Sequence, residues 1–194
     1  MDLDSYSEQI LDYWFKCGNF KKWFTSGQLY DKEITEKFSF ILKEAEKGNL
    51  LHWLKDSRSF LAHIILLDQF SRHIYRGKPD AYKNDNKILK FMEMGIDLYI
   101  DNYNATEKMF ALMPYQHSEN IEDQKKGISI LQECIKKETV MSEKNTLKTA
   151  LFHQKGHLKV LQQFGRFPKR NYVLGRLSSE KEIDYMDSSE KLPY

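Results

Sequence analysis

The chain has 194 residues, 30% of them charged and 41% hydrophobic, with a formal charge of +2 at pH 7. That length suits one domain with a substantial core, the composition is that of an ordinary globular protein, and so small a net charge does not by itself imply a nucleic-acid binder. The longest apolar run, within residues 60–67, is interrupted by His63 and too short to span a membrane, and the acidic start Met1-Asp2-Leu3-Asp4 is no signal peptide.

Ser5 and Glu8 have capping-box spacing and open an amphipathic segment carrying Ile10, Leu11, Trp14 and Phe15, which Gly18-Asn19 ends. Trp23-Phe24 follows as an aromatic anchor. Asp31 is placed to cap a second helix with the stripe Ile34, Phe38, Ile41, Leu42 and Ala45, stopped by Gly48-Asn49. Leu50, Leu51, Trp53 and Leu54 form a hydrophobic patch before a third helix over about 59–74, started by Ser57 or Ser59 and broken by Gly77 and Pro79.

A fourth helix over about 85–100 turns Ile88, Leu89, Met92, Ile96 and Tyr99 inward. After the turn Asn102-Tyr103-Asn104, a short helix over 106–113 is expected to end at Pro114. Ser118 reads as the N-cap of a helix through Lys137, with Glu119, Glu122 and Asp123 in its first turn and Ile121, Ile128, Leu131 and Ile135 inward. Ser142 reads as the start of the next helix, bearing Leu147, Ala150, Leu151, Leu158, Leu161 and Phe164 and closed by Gly165. A loop over 166–175 contains Pro168, Ser179 and Glu182 form a second capping box, and residues 187–194 read as a frayed tail. The expectation is therefore an all-α chain of about eight helices, antiparallel neighbours joined by short connections, forming a single domain over residues 1–186. No clean self-similar period supports a repeat by itself.

The stretch most in need of a partner is Leu66-Leu67-Asp68-Gln69-Phe70-Ser71-Arg72-His73-Ile74-Tyr75-Arg76-Gly77, where an apolar helix runs into charge. Asp68, Arg72 and Arg76 are four apart, which places them on one helical face, and such groups are costly at a buried helix end unless paired. No Asp or Glu occurs in residues 145–179, which hold Lys148, Lys155, Lys159, Arg166, Lys169, Arg170 and Arg176. The basic C-terminal third either faces the net-acidic remainder or faces an anionic partner. Cys17 and Cys134 fit no metal spacing and read as free thiols of a reducing cytosol, a disulfide between them staying open.

Three segments together carry a resemblance: Leu67-Asp68-Gln69-Phe70 with Arg72, Tyr75, Arg76 and Gly77; His117-Ser118-Glu119 with Asp123-Gln124; and His157 with Phe164-Gly165-Arg166-Phe167-Pro168, Arg170-Asn171 and Leu174-Gly175-Arg176. With the pairs Trp14-Phe15 and Trp23-Phe24, the chain resembles the bacterial domain-of-unknown-function 924 family over nearly its whole length. The resemblance implies a helical, tetratricopeptide-like fold and no assigned biochemical role, so it carries over no catalytic residue. The chain departs from the family pattern at Ser71, His73 and Lys169, where Pro, Asn and His are common.

Asp68, Arg72, Arg76, His117, Glu119, His157, Arg166, Arg170, Asn171 and Arg176 all lie at helix ends or beside breakers. If those ends converge, the surplus of Arg suits a small phosphate- or carboxylate-bearing molecule, because Arg offers paired donors in a fixed fork. His117 and His157 are then the acid–base candidates. The competing reading makes the charges ion pairs that lock helix ends, for example Asp68 with Arg166 or Arg170 and Glu119 with Arg72, and makes His157 a hydrogen-bonded core residue. His153 and His157 have helical zinc spacing, but Lys155 lies between them and no Glu does, so no metal is expected, and no cofactor either. A scaffold that binds a protein or peptide is the second function, and single-stranded RNA at Arg166-Phe167-Pro168-Lys169-Arg170-Asn171-Tyr172 is the weakest of the three. A cytoplasmic location without membrane association completes the expectation.

Overall fold

A computed structural model describes residues 3–16, 23 and 28–188. Among them no strand occurs, and the helices are α1 Ser5–Phe15, α2 Gln28–Lys47, α3 Ser57–Ile64, α4 Ser71–Ile74, α5 Asp85–Tyr99, α6 Ala105–His117, α7 Ile121–Lys137, α8 Met141–Phe164 and α9 Glu180–Asp187. A π-helical segment, Ile65–Phe70, joins α3 to α4 without a break. With these three pieces counted as one, the described residues form eight helices, the all-α architecture that the apolar periodicity demands. Cys17, the stop at Gly18-Asn19, Phe24 and the segment beyond Ser188 lie outside the described residues. The chain divides into two compact units, Met1–Asn102 and Tyr103–Tyr194.

In the first unit α1 runs in the same direction as the α3–α4 helix. Asp4, at the start of α1, meets His52 and Trp53 ahead of α3, whereas Trp14 meets Phe70 and His73 at the other end. α5 returns antiparallel along it: Phe60 packs against Gly95 and Tyr99, His63 against Phe91, and Arg72 reaches Asp85. The α2 stripe Ile34, Phe38, Ile41, Leu42 and Ala45 is fully buried. Burying each of the larger side chains is favourable by about 1.5–3 kcal/mol, and that offsets the mostly charged sequence on the other face of α2. The end of α4 lies across the middle of α2, because Tyr75 reaches Glu46 near one end of α2 while His73 and Arg76 reach Asp31 near the other.

Several boundaries differ from the sequence reading. The Ser5–Glu8 capping box does not form; Asp4 holds the N-cap position of α1 and its carboxylate goes to His52 Nε2 at 2.6 Å and Trp53 Nε1 at 3.0 Å. α2 starts at Gln28, so Asp31 lies inside its first turn rather than capping it. α3 starts at Ser57 with Asp56 as the cap, accepting from the backbone N–H groups of Arg58 and Ser59 at 3.0 and 3.1 Å. The π turn holds six buried residues, and the Ser71 hydroxyl donates to the carbonyls of Leu67 (2.6 Å) and Asp68 (3.2 Å) within it, the kind of back-bonding that competes with the regular ladder.

In the second unit α6, α7 and α8 pack together. Tyr115 faces Gly127 across the α6–α7 turn and Gln124 bonds Gln154 across the α7–α8 turn, so each successive pair is antiparallel and α6 runs parallel to α8. The Ala105 N–H donates to Glu143 at one end of that parallel pair. α6 does not stop at Pro114. An Asn104–Glu107 capping box starts the helix at Ala105, and it runs through the proline to His117. A proline inside a helix costs about 3 kcal/mol, here opposed by burial of Met113, Pro114 and Tyr115 and by Gln124, whose amide donates to the carbonyls of Gln116 (2.7 Å) and Ser118 (2.8 Å) at the helix end. The N-cap of α7 is Asn120, not Ser118, which leaves Glu119 ahead of the helix. α8 begins at Met141 without a side-chain cap, ends at Gly165 with φ of 70°, and Ser179 with Glu182 forms the expected capping box of α9.

Candidate functional site

The charged residues of the α3–α4 helix divide between two arrangements. Arg72 donates to the Asp68 and Ala81 carbonyls, both at 3.1 Å, and to Asp85 at 3.0 and 3.3 Å, with the Asp68 carboxylate 3.3 Å away. Its guanidinium also lies over the Tyr82 ring. Burial pushes the Arg72 pKa down, but Asp68 and Asp85 outweigh it and raise it, so the group stays charged. This contact ties the end of the helix to the start of α5. Arg76 is not stacked above Arg72 and Asp68, because the helix has ended at Ile74. It turns instead to Asp31, through Nε at 2.6 Å and a terminal nitrogen at 2.9 Å, while His73 Nδ1 lies 2.8 Å from the same carboxylate. Burial raises the Asp31 carboxyl, yet the bonds from Arg76 and His73 hold it below the usual range. Burial holds the His73 imidazole low.

The remaining candidates gather in the second unit. Glu119 accepts from two terminal nitrogens of Arg176 at 2.7 and 3.0 Å and from the Phe167 N–H at 2.8 Å. Arg176 Nε donates to Asn171 Oδ1 at 2.9 Å, and the same guanidinium reaches the Phe167 carbonyl. Glu119 therefore pairs with Arg176 rather than with Arg72. Although burial raises the Glu119 carboxyl, the Arg176 and Phe167 bonds prevail and lower it, with Arg170 adding its charge. Arg166 forks onto Glu182 at 2.7 and 2.8 Å, and this pairing holds the Glu182 carboxyl at about 2. Arg170 donates to the His117 carbonyl at 2.8 Å and lies over the Phe167 ring at 4.8 Å.

His157 sits edge-on to that ring at 5.5 Å and is 8% exposed. Its Nδ1 lies 3.0 Å from the His153 carbonyl, so Nδ1 carries the proton and Nε2 keeps its lone pair, turned toward Gln116. Burial pushes the imidazole down to about 3, helped by His117 and Arg170 nearby. The ring is thus neutral at physiological pH and acts as a hydrogen-bond acceptor rather than a proton store. His153 is exposed and meets the Phe152 ring edge-on, so the two histidines of the zinc-like spacing face different surroundings.

The sequence reading missed Asp85, Asp31 and Glu182 as ion-pair partners, having seen only helix starts and caps. It also missed the buried amides Gln124 and Gln154, bonded to each other at 2.6 Å, and it passed over His63. That imidazole is 1% exposed, lies between Trp53 and Phe91, and has no hydrogen-bond partner at either nitrogen among the described residues. Burial, with Lys87 and His52 nearby, drives it down to about 3.

A family model described as a bacterial protein of unknown function, DUF924, matches residues 10–190. The solved structure of a protein of unknown function from Agrobacterium tumefaciens superposes with a TM-score of 0.84 at 27% identity, over 96% of this chain and 99% of that one. No curated protein matches the chain. No helix is long and apolar enough to cross a membrane, among the described residues.

Proposed function

The chain belongs to the DUF924 family, and from that premise we propose that its second unit binds a small phosphate- or carboxylate-bearing molecule beside Arg170, His117 and His157. The observation that carries this reading is the meeting of a guanidinium and an imidazole at one aromatic ring: Arg170 lies over Phe167, His157 meets the edge of the same ring, and Arg170 is tied to the end of α6 through the His117 carbonyl. The paired donors of the guanidinium favour an anion with more than one oxygen. Arg176, Glu119 and Asn171 hold the loop after Gly165 in place beneath Arg170, and Arg166 with Glu182 fixes its two ends. Asp68, Arg72 and Arg76 serve the first unit as ties between helices.

Thermal unfolding of the full chain with inorganic phosphate, citrate and mononucleotides at millimolar concentration tests the reading. At least one of these raises the melting temperature of the native chain, and Arg170→Gln and His117→Gln lose that rise. A panel that stabilises neither the native chain nor any variant overturns it.

A second reading, a tetratricopeptide-like cytoplasmic scaffold for a peptide, has its own support in Tyr172 and Leu177, which are 95% and 91% exposed on the same loop. A reproducible protein partner whose capture is lost in Tyr172→Ala or Leu177→Ala would favour it, and unchanged capture counts against it.

A further inference from the structure

We propose that the exposed face of α8 is a docking surface for single-stranded nucleic acid. On a helix advancing 100° per residue, Lys148, Phe152, Lys155 and Lys159 lie within one narrow stripe, flanked by Asn145 and Gln162, and all six are exposed. From Lys148 to Lys159 the stripe runs about 16 Å along the helix axis at 1.5 Å per residue.

Three observations set this face apart. First, among the described residues no hydrogen bond or ion pair involves Lys148, Lys155 or Lys159, whereas Lys37, Lys47, Lys125 and Lys136 are each paired to a glutamate three or four residues away on their own helix. Second, no acidic residue occurs anywhere in residues 145–179, so the stretch of α8 that bears the stripe carries no acid of its own. Third, Phe152 stands 62% exposed among these cations, a large ring left in water at the middle of the row.

Unpaired cations in a row give phosphate contacts, and an exposed ring gives a base a surface to stack on. The amides of Asn145 and Gln162 at either side add donors and acceptors for sugars and phosphates. The chemistry does not suit the competing partners. An amphipathic helix needs apolar anchors at successive turns of its receptor, and a membrane surface needs a broad apolar face; this stripe offers one ring among lysines. A modest overall charge of +2 does not oppose the assignment, because the field is concentrated on one helix while the acids lie elsewhere. The surface is distinct from the loop at Arg166–Tyr172, where Arg166 is committed to Glu182.

Fluorescence anisotropy with labelled oligouridylate and oligothymidylate 20-mers and the full-length chain provides the test. At low salt the native chain binds, and the logarithm of affinity falls with the logarithm of salt with a slope of about −2, as about three phosphate contacts to a single strand require. The triple variant K148Q/K155Q/K159Q loses at least ten-fold in affinity and most of that slope. Phe152→Ala loses about five-fold or more, as removal of a stacking platform does. Both variants keep the native melting temperature, since the side chains they change are exposed. Absence of binding at 50 mM salt overturns the proposal, as does binding that the triple variant leaves intact. Equal binding to polyglutamate or to phosphatidylserine vesicles, insensitive to Phe152→Ala, overturns it too, because the face would then recognise negative charge alone.

Discussion

Arg176 shows how one side chain can hold a loop: every nitrogen of its guanidinium has a protein acceptor, in Asn171, Glu119 and the Phe167 carbonyl. Truncating it strands the Glu119 carboxylate with only the Phe167 N–H, and an uncompensated, partly buried charge is costly. Arg176→Gln is expected to lower unfolding free energy by about 2 kcal/mol, measured by urea denaturation, and Glu119→Gln in the same background to recover part of the loss. A double variant whose loss equals the sum of the two single losses would show that the pair is not coupled. His63 presents the opposite case, a polar ring buried with nothing to bond. An unsatisfied buried group costs about 1–3 kcal/mol, so His63→Leu is expected to stabilise the chain by about 1 kcal/mol at pH 7, read from the same denaturation curves. A destabilised variant would mean that the ring contacts with Trp53 and Phe91 outweigh the missing hydrogen bonds.

Among the elements, the α6–α7 crossing depends on a glycine. A Cβ built on Gly127 would stand 2.7 Å from Tyr115 Cβ, an atom fixed by the backbone of α6. Helix propensity alone favours Ala over Gly by about 1 kcal/mol, so the sign of Gly127→Ala decides which effect rules. Steric overlap predicts destabilisation by about 1–3 kcal/mol, visible as a lower melting temperature, whereas a free crossing would give a gain. The same element scale shows what a single sequence can disclose. The stripes of α2 and α5, the stops at Gly48 and Gly165 and the Ser179–Glu182 cap were legible because each rests on local periodicity or a local hydrogen bond. Pro114 misled because its penalty is local while the burial that offsets it comes from α7. The π turn was invisible because hydrophobic spacing does not distinguish one extra residue in a wholly apolar run. Asp85 was recoverable in principle, since it and Arg72 stand symmetrically about the Gly77–Pro79 break, as residues facing each other in an antiparallel pair must. Glu182 was hidden by being read as a cap alone, when it both caps α9 and holds Arg166.

Over the whole molecule these buried groups make stability a function of pH. His63 and His157 titrate at about 3 in the folded chain against an ordinary value of 6.5, and His73 is lowered as well, in each case chiefly by burial. Below pH 6.5 the unfolded chain therefore takes up protons that the folded chain refuses. Because the unfolded state binds more protons there, stability rises with pH and falls on acidification, each such group contributing up to about 1.4 kcal/mol per pH unit. Glu119, Asp31 and Glu182 have lowered folded values instead, from ordinary values of 4.5, 3.8 and 4.5. Their contribution is complete above those values and drains away only as pH falls below them toward the folded value. Two windows follow: between about pH 6.5 and 5 the histidines act alone, and below about pH 4.5 the carboxylates join them. Chemical denaturation at half-unit intervals from about pH 7 to 3 is expected to show unfolding free energy declining already between about pH 6.5 and 5, and His63→Leu to flatten that decline as well as raise the curve. The carboxylate window stays unchanged in this variant, so a loss confined to pH below 4.5 in the native chain would show that the buried rings are protonated without penalty and that acid acts through the ion pairs alone.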